Sequence, residues 1–317
     1  MSDFIYSAFR DGHAHPLFAG REAMGPQVTG LDSIEAIVDT VKVWADQNPG
    51  EWVIGGAYDR SLATSFLASW LDSAVPDRPV VLHASDHHTI WVNSEALRRA
   101  GALESFPDVA IGHADLDDSG RPTGTLRESG AMEVVLSVIP PKTMAEELRA
   151  LDWAQEQMLS VGITQVQDAW IEKGMAEIYL EALDSGQLRV ATNLAFRITP
   201  ENYESDFEYF QGLRREVNSR SNPLLTVKTA KFFADGVFGS GTAAVLDPYL
   251  PGGHGEPVWN DHLLKRATAK YAAAGYQLHI HAIGDAAVRS SLNAIEHAGR
   301  LELPSVITHA ELVHEQD

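Results

Sequence analysis

From about residue 143 onward, two periods of apolar residues take turns along the chain. Stretches with an apolar residue every three to four positions predict helices over 143–160, 175–185, 202–218, 261–274 and 286–298. Between them, short apolar runs predict strands over 162–168, 188–198, 224–233, 276–283 and 305–309. A further strand is predicted at the front, over 4–9, followed by a loop and a helix over 33–47. In that helix Ile34, Ile37, Val38, Val41 and Trp44 keep the helical period, and Ser33 is placed to cap it. Apolar strands that alternate with helices imply a parallel sheet covered by helices. Six such strands are counted, where a closed (β/α)8 barrel has eight.

Residues 50–142 break the alternation. They predict strands over 52–57 and 79–84, helices over 65–73 and 94–100, and a turn at 117–122. The stretch is too long for a strand-to-helix loop. The expected organisation is therefore a first barrel strand and helix in 1–49, an inserted region on the substrate side in 50–142, and the remaining barrel units in 143–317. The fold class is α/β: an incomplete (β/α)8 TIM-type barrel of about six strands, with an inserted α/β region between its first and second strands. No repeat and no low-complexity stretch interrupts it.

Composition narrows the function classes. The chain of 317 residues is 44% hydrophobic and 21% charged, with a formal charge of -20. That excess of acid argues against nucleic acid and against an anionic membrane surface as partners. Without cysteine there is neither a disulfide framework nor a thiolate metal site. The start has no basic segment followed by an apolar one, and no apolar run is long enough to span a membrane. The expected setting is the cytoplasm, the expected partner a small-molecule substrate, with a homodimer as the candidate assembly.

Chemistry in such a barrel sits at the C-terminal ends of the strands. The front segment Asp11-Gly12-His13-Ala14-His15-Pro16 carries two histidines one residue apart. On a strand they share a face, with backbones about 7 Å apart, and make half of a divalent-metal site. Later strand ends carry Gln167 and Asp168, Lys231, His279 and His281, and His309. Lys228 and Lys231 lie three apart within an apolar strand, so one faces solvent and the other the barrel interior. A buried ammonium costs several kcal/mol, roughly, unless it is paired or neutralised. Of His279 and His281, which share a face, one is a candidate ligand and the other a candidate either to orient a ligand from behind or to contact substrate. The inserted region adds Asp86-His87-His88-Thr89-Ile90-Trp91 and Arg127, the latter open to a surface ion pair with Glu128 or Glu133 as well as to a substrate role.

Taken in order, these segments resemble the amidohydrolase superfamily, specifically amidohydrolase family 3, the branch with N-substituted formamide deformylases and YtcJ-like proteins. The resemblance runs through the segment around His13 and His15, Trp91-Val92-Asn93-Ser94-Glu95-Ala96-Leu97 and Gly124-Thr125-Leu126-Arg127-Glu128. It continues through Lys231-Phe232-Phe233-Ala234-Asp235-Gly236, His281-Ala282-Ile283-Gly284-Asp285 and His309-Ala310-Glu311. It implies that His13 and His15 hold one divalent metal, that His281 and His309 hold a second, and that Lys231 bridges them after carboxylation by CO2. An unmodified Lys231 beside a single ion is the alternative. Zinc is the expected metal, from nitrogen and oxygen donors without sulfur. His88, Trp91, Asn93, Arg127 and His279 would contact substrate. Asp11, Asp235 and Asp285 would orient ligands, Asp285 doubling as a helix cap.

The implied activity is hydrolysis of a C–N bond of amide or formamide type by a metal-activated water, with ester hydrolysis, deamination or isomerisation on the same site as variants. Against the family pattern, a β-sandwich portion before the first strand and the last two barrel strands are missing. With them goes the aspartate of the eighth strand, so no catalytic acid or base is assigned. The chain thus reads as truncated at both ends, with little activity expected of it alone. A catalytically inactive, hydrolase-derived regulatory or interaction protein is the alternative function.

Overall fold

The computed structural model describes residues 7–110, 112–250 and 252–317, the side chains of Ser129 and Ser240 excepted. In chain order its elements are β1 (Phe9–Ala14), α1 (Pro16–Ala23), α2 (Ile34–Gln47), β2 (Val53–Tyr58), α3 (Ala68–Ala74), β3 (Val80–Ala84), β4 (Thr89–Val92), α4 (Ser94–Arg99), β5 (His113–Leu116), β6 (Pro122–Arg127) and α5 (Glu128–Leu136). These are followed by α6 (Met144–Ser160), β7 (Ile163–Ile171), α7 (Met175–Asp184), β8 (Ala191–Arg197), α8 (Phe207–Ser219), β9 (Leu225–Phe233), α9 (Asp261–Ala273), β10 (Gln277–Ala282), α10 (Asp285–Ala298) and β11 (Val306–His309). The chain forms two compact units. One joins the residues up to Leu17 to Ala154–Asp317, and the other is Phe18–Trp153.

The first unit is a six-stranded sheet in the order β1-β7-β8-β9-β10-β11, parallel throughout. Alternate residues of its strands meet two environments. Phe196 stacks on Phe210 of α8, and Phe232 meets Tyr271 of α9, so that face lies under helices. The other face carries Asn193, Thr229, Lys231, His279 and His281. The sheet curls until the rings of His13 on β1 and His309 on β11, its two outermost strands, lie 5.3 Å apart. The architecture is thus the expected α/β one, a parallel six-stranded barrel closed except for the seam between those strands.

The second unit holds a mixed sheet in the order β2-β3-β4-β6-β5, with β2 and β3 parallel and the other pairs antiparallel. It separates two apolar cores. Val80 and Leu82 of β3 join Ile37 and Val41 of α2 and Leu71 of α3 on one side. Val81 joins Leu97 of α4 and Met132 and Val135 of α5 on the other. The period-2 alternation of β3 is what feeds both cores.

Several elements differ from the sequence expectation. The first strand runs over the histidine motif itself; Phe4–Tyr6 lie outside the described residues. Residues 16–23 are a helix rather than a loop, because Pro16 opens it where its missing N–H costs nothing. The helix expected from 202 starts at Phe207, since Asn202 and Thr199 exchange side-chain and backbone bonds in a turn instead. The turn at 117–122 closes a hairpin of β5 and β6: the Asp117 carboxylate accepts from the N–H groups of Ser119 and Arg121. Among the described residues no helix is long and apolar enough to cross a membrane.

Asn93 ties the second unit together. Its oxygen accepts from the N–H of Val80 and of Ala96, and its amide donates to the carbonyls of Val75 and Arg78. Asn93→Ala removes all four bonds from a fully buried site. It should lower stability by about 3 kcal/mol, read from the urea midpoint at unchanged slope.

Candidate metal centre

Parallel pairing fixes which side chains become neighbours at the C-terminal end of the first unit. Lys231 on β9 stands in register with His279 on β10, and His281 with Phe233. Ala282 pairs with His309, which brings β11 alongside. The His13 ring lies 5.1 Å from His15, 5.0 Å from His279 and 5.3 Å from His309 between centroids. The His281 and His309 rings are 4.7 Å apart. Four imidazoles expected as ligands therefore gather from β1, β10 and β11, with His279 as a fifth. His309 and Ala310 both adopt the left-handed backbone region (φ +73° and +46°), a strained conformation at the edge of the cluster.

Lys231 lies in the same wall. It is fully buried, and its Nζ has no hydrogen-bond partner; it stands over the Phe233 ring, 4.8 Å from the centroid. Burial alone pulls its amine down to about 7. Lys228 is exposed, as the three-residue spacing requires. Burial, with the Lys231 ammonium as the next cause, lowers His13 to about 3 and His279 to about 2. Both rings are neutral at neutral pH.

Two ligand candidates are turned onto protein partners. His281 Nε2 lies 3.0 Å from the Gly236 carbonyl, which can only accept, so the proton is on Nε2 and the lone pair on Nδ1. His13 Nδ1 lies 2.9 Å from His279 Nε2. Among the described residues no three His, Asp or Glu side chains converge closely enough to hold a metal ion. The donor chemistry nevertheless suits a divalent cation: clustered imidazoles, with a buried amine that has no other partner.

The expected orienting carboxylates serve the loops. Asp235 is buried and accepts from the N–H groups of Ala244, Ile283 and Gly284; its Oδ1 is 3.6 Å from His281 Nε2. Burial raises its pKa against the pull of those three donors. Asp285 accepts from Leu246 N and Ala286 N, which combines a tether with a cap in the first turn of α10. Asp11 accepts from the backbone N–H of His13. Asp168, given no role from the sequence, is buried, receives the Tyr179 hydroxyl at 2.6 Å and lies 4.0 Å from His15 Nδ1. Its only signal in the sequence was its place at a strand end.

The residues expected to contact substrate are differently employed. His279 is fully buried and bonded on both nitrogens, to His13 and to Gln167, so it belongs to the wall of the cluster and offers no nitrogen to a substrate. Trp91 is fully buried among Tyr58, Phe66 and Trp70, with its indole N–H on the Leu67 carbonyl. Asn93 has spent its bonds on the backbone, as described above. The sequence predicts no strand between 84 and 94, whereas Trp91 lies in β4 and Asn93 directly follows it. Arg127 makes a two-pronged pair with Asp115, at 2.8 Å from both Nε and a terminal nitrogen, rather than with Glu128 or Glu133. His88 Nδ1 pairs with Glu128 at 2.9 Å.

Comparison with known proteins places this arrangement. Over residues 4–317 the sequence matches the model described as the amidohydrolase family. It is 29% identical over 326 residues to YtcJ of Bacillus subtilis (strain 168), an alignment that takes in 98% of this chain and 58% of that protein. It is 24% identical over 308 residues to the N-substituted formamide deformylase of Arthrobacter pascens, covering 92% of this chain and 55% of the enzyme. The chain thus spans little more than half the length of these relatives. Its fold superposes on an uncharacterized metal-dependent hydrolase of Pyrococcus furiosus with a TM-score of 0.72 at 26% identity, over 98% of this chain and 61% of that one. Motif order, parallel sheet and histidine cluster agree with the match along the whole described chain, and the chain belongs to the amidohydrolase family.

Proposed function

We propose that this chain carries the metal-binding part of a hydrolase that cleaves a C–N bond, of amide or formamide type, in a small molecule. The observation that carries the reading is the meeting of His13, His15, His281 and His309 with the buried, unpartnered amine of Lys231 at one end of a parallel sheet. The metal-dependent hydrolase that shares the fold supports a divalent cation, and the Arthrobacter relative supports the bond class.

The four histidines would hold the cation through their lone pairs, His281 through Nδ1. Lys231 would join them after carboxylation. A free-base amine attacks the carbon of CO2, the new C–N bond forms, and one proton leaves to solvent. An amine brought down to about 7 is largely free base at mildly alkaline pH, and the carbamate it forms is an anion with oxygen donors. Nitrogen and oxygen donors without sulfur make zinc the first ion to test. When bound, a divalent cation supplies Lewis acidity toward a carbonyl oxygen and a water of lowered pKa. The Asp235 carboxylate keeps the loop after β9 against the loop after β10, and so holds Gly236 O on His281.

Purified with zinc, the chain should retain about one ion or more per molecule by elemental analysis, and His281→Asn combined with His309→Asn should lose it. Zinc-dependent release of amine from N-substituted formamides tests the bond class; a folded, zinc-free chain would refute the reading. In metal-free, CO2-free buffer, Lys231 gives a pH signature. Its folded value, about 7, lies below the unfolded one of 10.5, so the unfolded state binds more protons between the two. Wild-type stability should therefore rise with pH across that window. Lys231→Met should be the more stable protein at pH 6, and its lead should shrink as the pH climbs, as read from denaturation midpoints.

A further inference from the structure

The second unit holds a cavity of about 520 Å³, a size suited to a small molecule. Its aromatic walls are the indoles of Trp44, on α2, and Trp52, just before β2. Each indole is half-buried and anchored in a different core. Trp44 packs on the core of Ile37 and Val41, and Trp52 on that of Leu97 and Val135. Both rims are held by bonds internal to the unit. Arg78 donates to the carbonyls of Ala45, Asn48 and Gly50, which pins the loop after α2. Thr143 gives its N–H and its hydroxyl to the Glu146 carboxylate, which fixes the corner ahead of α6. The cavity is therefore built before any ligand arrives.

Glu51, Lys142, Glu146 and Arg149 bring charge to the lining. Glu51 pairs with Arg99 at 2.8 Å, which leaves two cations facing one carboxylate. The Thr143 bonds hold Glu146 below the usual carboxylate range, and Lys142 and Arg149 add to the effect, so both cations act on the same spot. The hollow is thus locally positive in a chain whose formal charge is -20. Among the described residues Lys142 and Arg149 have no hydrogen-bond or ion-pair partner, and neither indole N–H has an acceptor. All four groups are donors that cannot satisfy one another. What they lack is an acceptor with negative charge, and what the indoles lack is a flat apolar surface to cover them.

We propose that this cavity binds a small aromatic carboxylate, its ring against the indoles of Trp44 and Trp52 and its carboxylate held by Arg149 and Lys142. Arg149 presents a planar fork that matches a carboxylate, and Lys142 adds a point charge. A neutral aromatic would leave the cations unanswered, and an anion without a ring would leave the indoles uncovered. An aromatic acid uses both halves of the lining. The inference concerns the second unit alone and does not rest on the proposed function.

The test is calorimetric titration of 1-naphthoate into the zinc-free full chain, with 1-naphthalenemethanol as the neutral counterpart. The wild type should bind 1-naphthoate saturably and more weakly as salt rises, and the alcohol about tenfold more weakly than the acid. Arg149 is exposed and Lys142 partly so, and their replacement leaves the cores intact. Arg149→Gln combined with Lys142→Gln should weaken 1-naphthoate about tenfold and leave the alcohol unchanged. Trp44→Leu should weaken both ligands. A wild type without saturable 1-naphthoate binding would overturn the inference. Equal 1-naphthoate affinity in the wild type and the double variant would overturn it as well, since the ligand would then sit elsewhere. Equal wild-type affinities for acid and alcohol would overturn the role of the carboxylate. Unchanged binding in a folded Trp44→Leu chain would overturn the aromatic wall, and the double variant decides should that chain not fold. Zinc content is a separate measurement, so none of these outcomes bears on the metal centre.

Discussion

The burial of Lys231 is the constraint on which the rest of the site depends. A fully buried amine with no hydrogen-bond partner is a standing cost to the fold. The sheet places it beside His279 by register and within a wall of imidazoles contributed by the first strand and the last two. Its charge depresses the imidazoles around it, and its own burial depresses the amine. His13, His279, His309 and Lys231 are thereby pushed toward their neutral, lone-pair-bearing forms. That is the state in which nitrogen ligates a cation or attacks CO2.

Around this core, the carboxylates hold the shape of the wall. Asp235 gathers three backbone N–H groups from two loops, and Asp285 ties a third point to the first turn of α10. Their reach fixes where Gly236 O meets His281, and so which nitrogen of that ring is free of its proton. A backbone group with one possible hydrogen-bonding role thus decides which nitrogen of the imidazole bonded to it carries the proton.

Much of this was legible in the residues. Alternating periods gave the parallel sheet, and a lysine three residues from another in an apolar strand announced that one of them is buried. Histidines from separate strands pointed to one end of a barrel. What stayed hidden depended on pairings between segments distant in sequence. Trp91 and Asn93 look like loop residues until β4 is seen to lie buried between β3 and β6. Arg127 had two acidic neighbours close in sequence, yet it is Asp115, across a hairpin, that it binds. His279 shares a face with His281, but only the side chains of two other strands show that it faces Gln167 and His13.

The proposed metal centre stands most directly on where a cation sits. Anomalous diffraction at the zinc edge, from crystals of the full chain grown with zinc, should show a peak enclosed by His13, His15, Lys231, His281 and His309. Well-ordered crystals with those five side chains in place, and no anomalous peak among them, would contradict it.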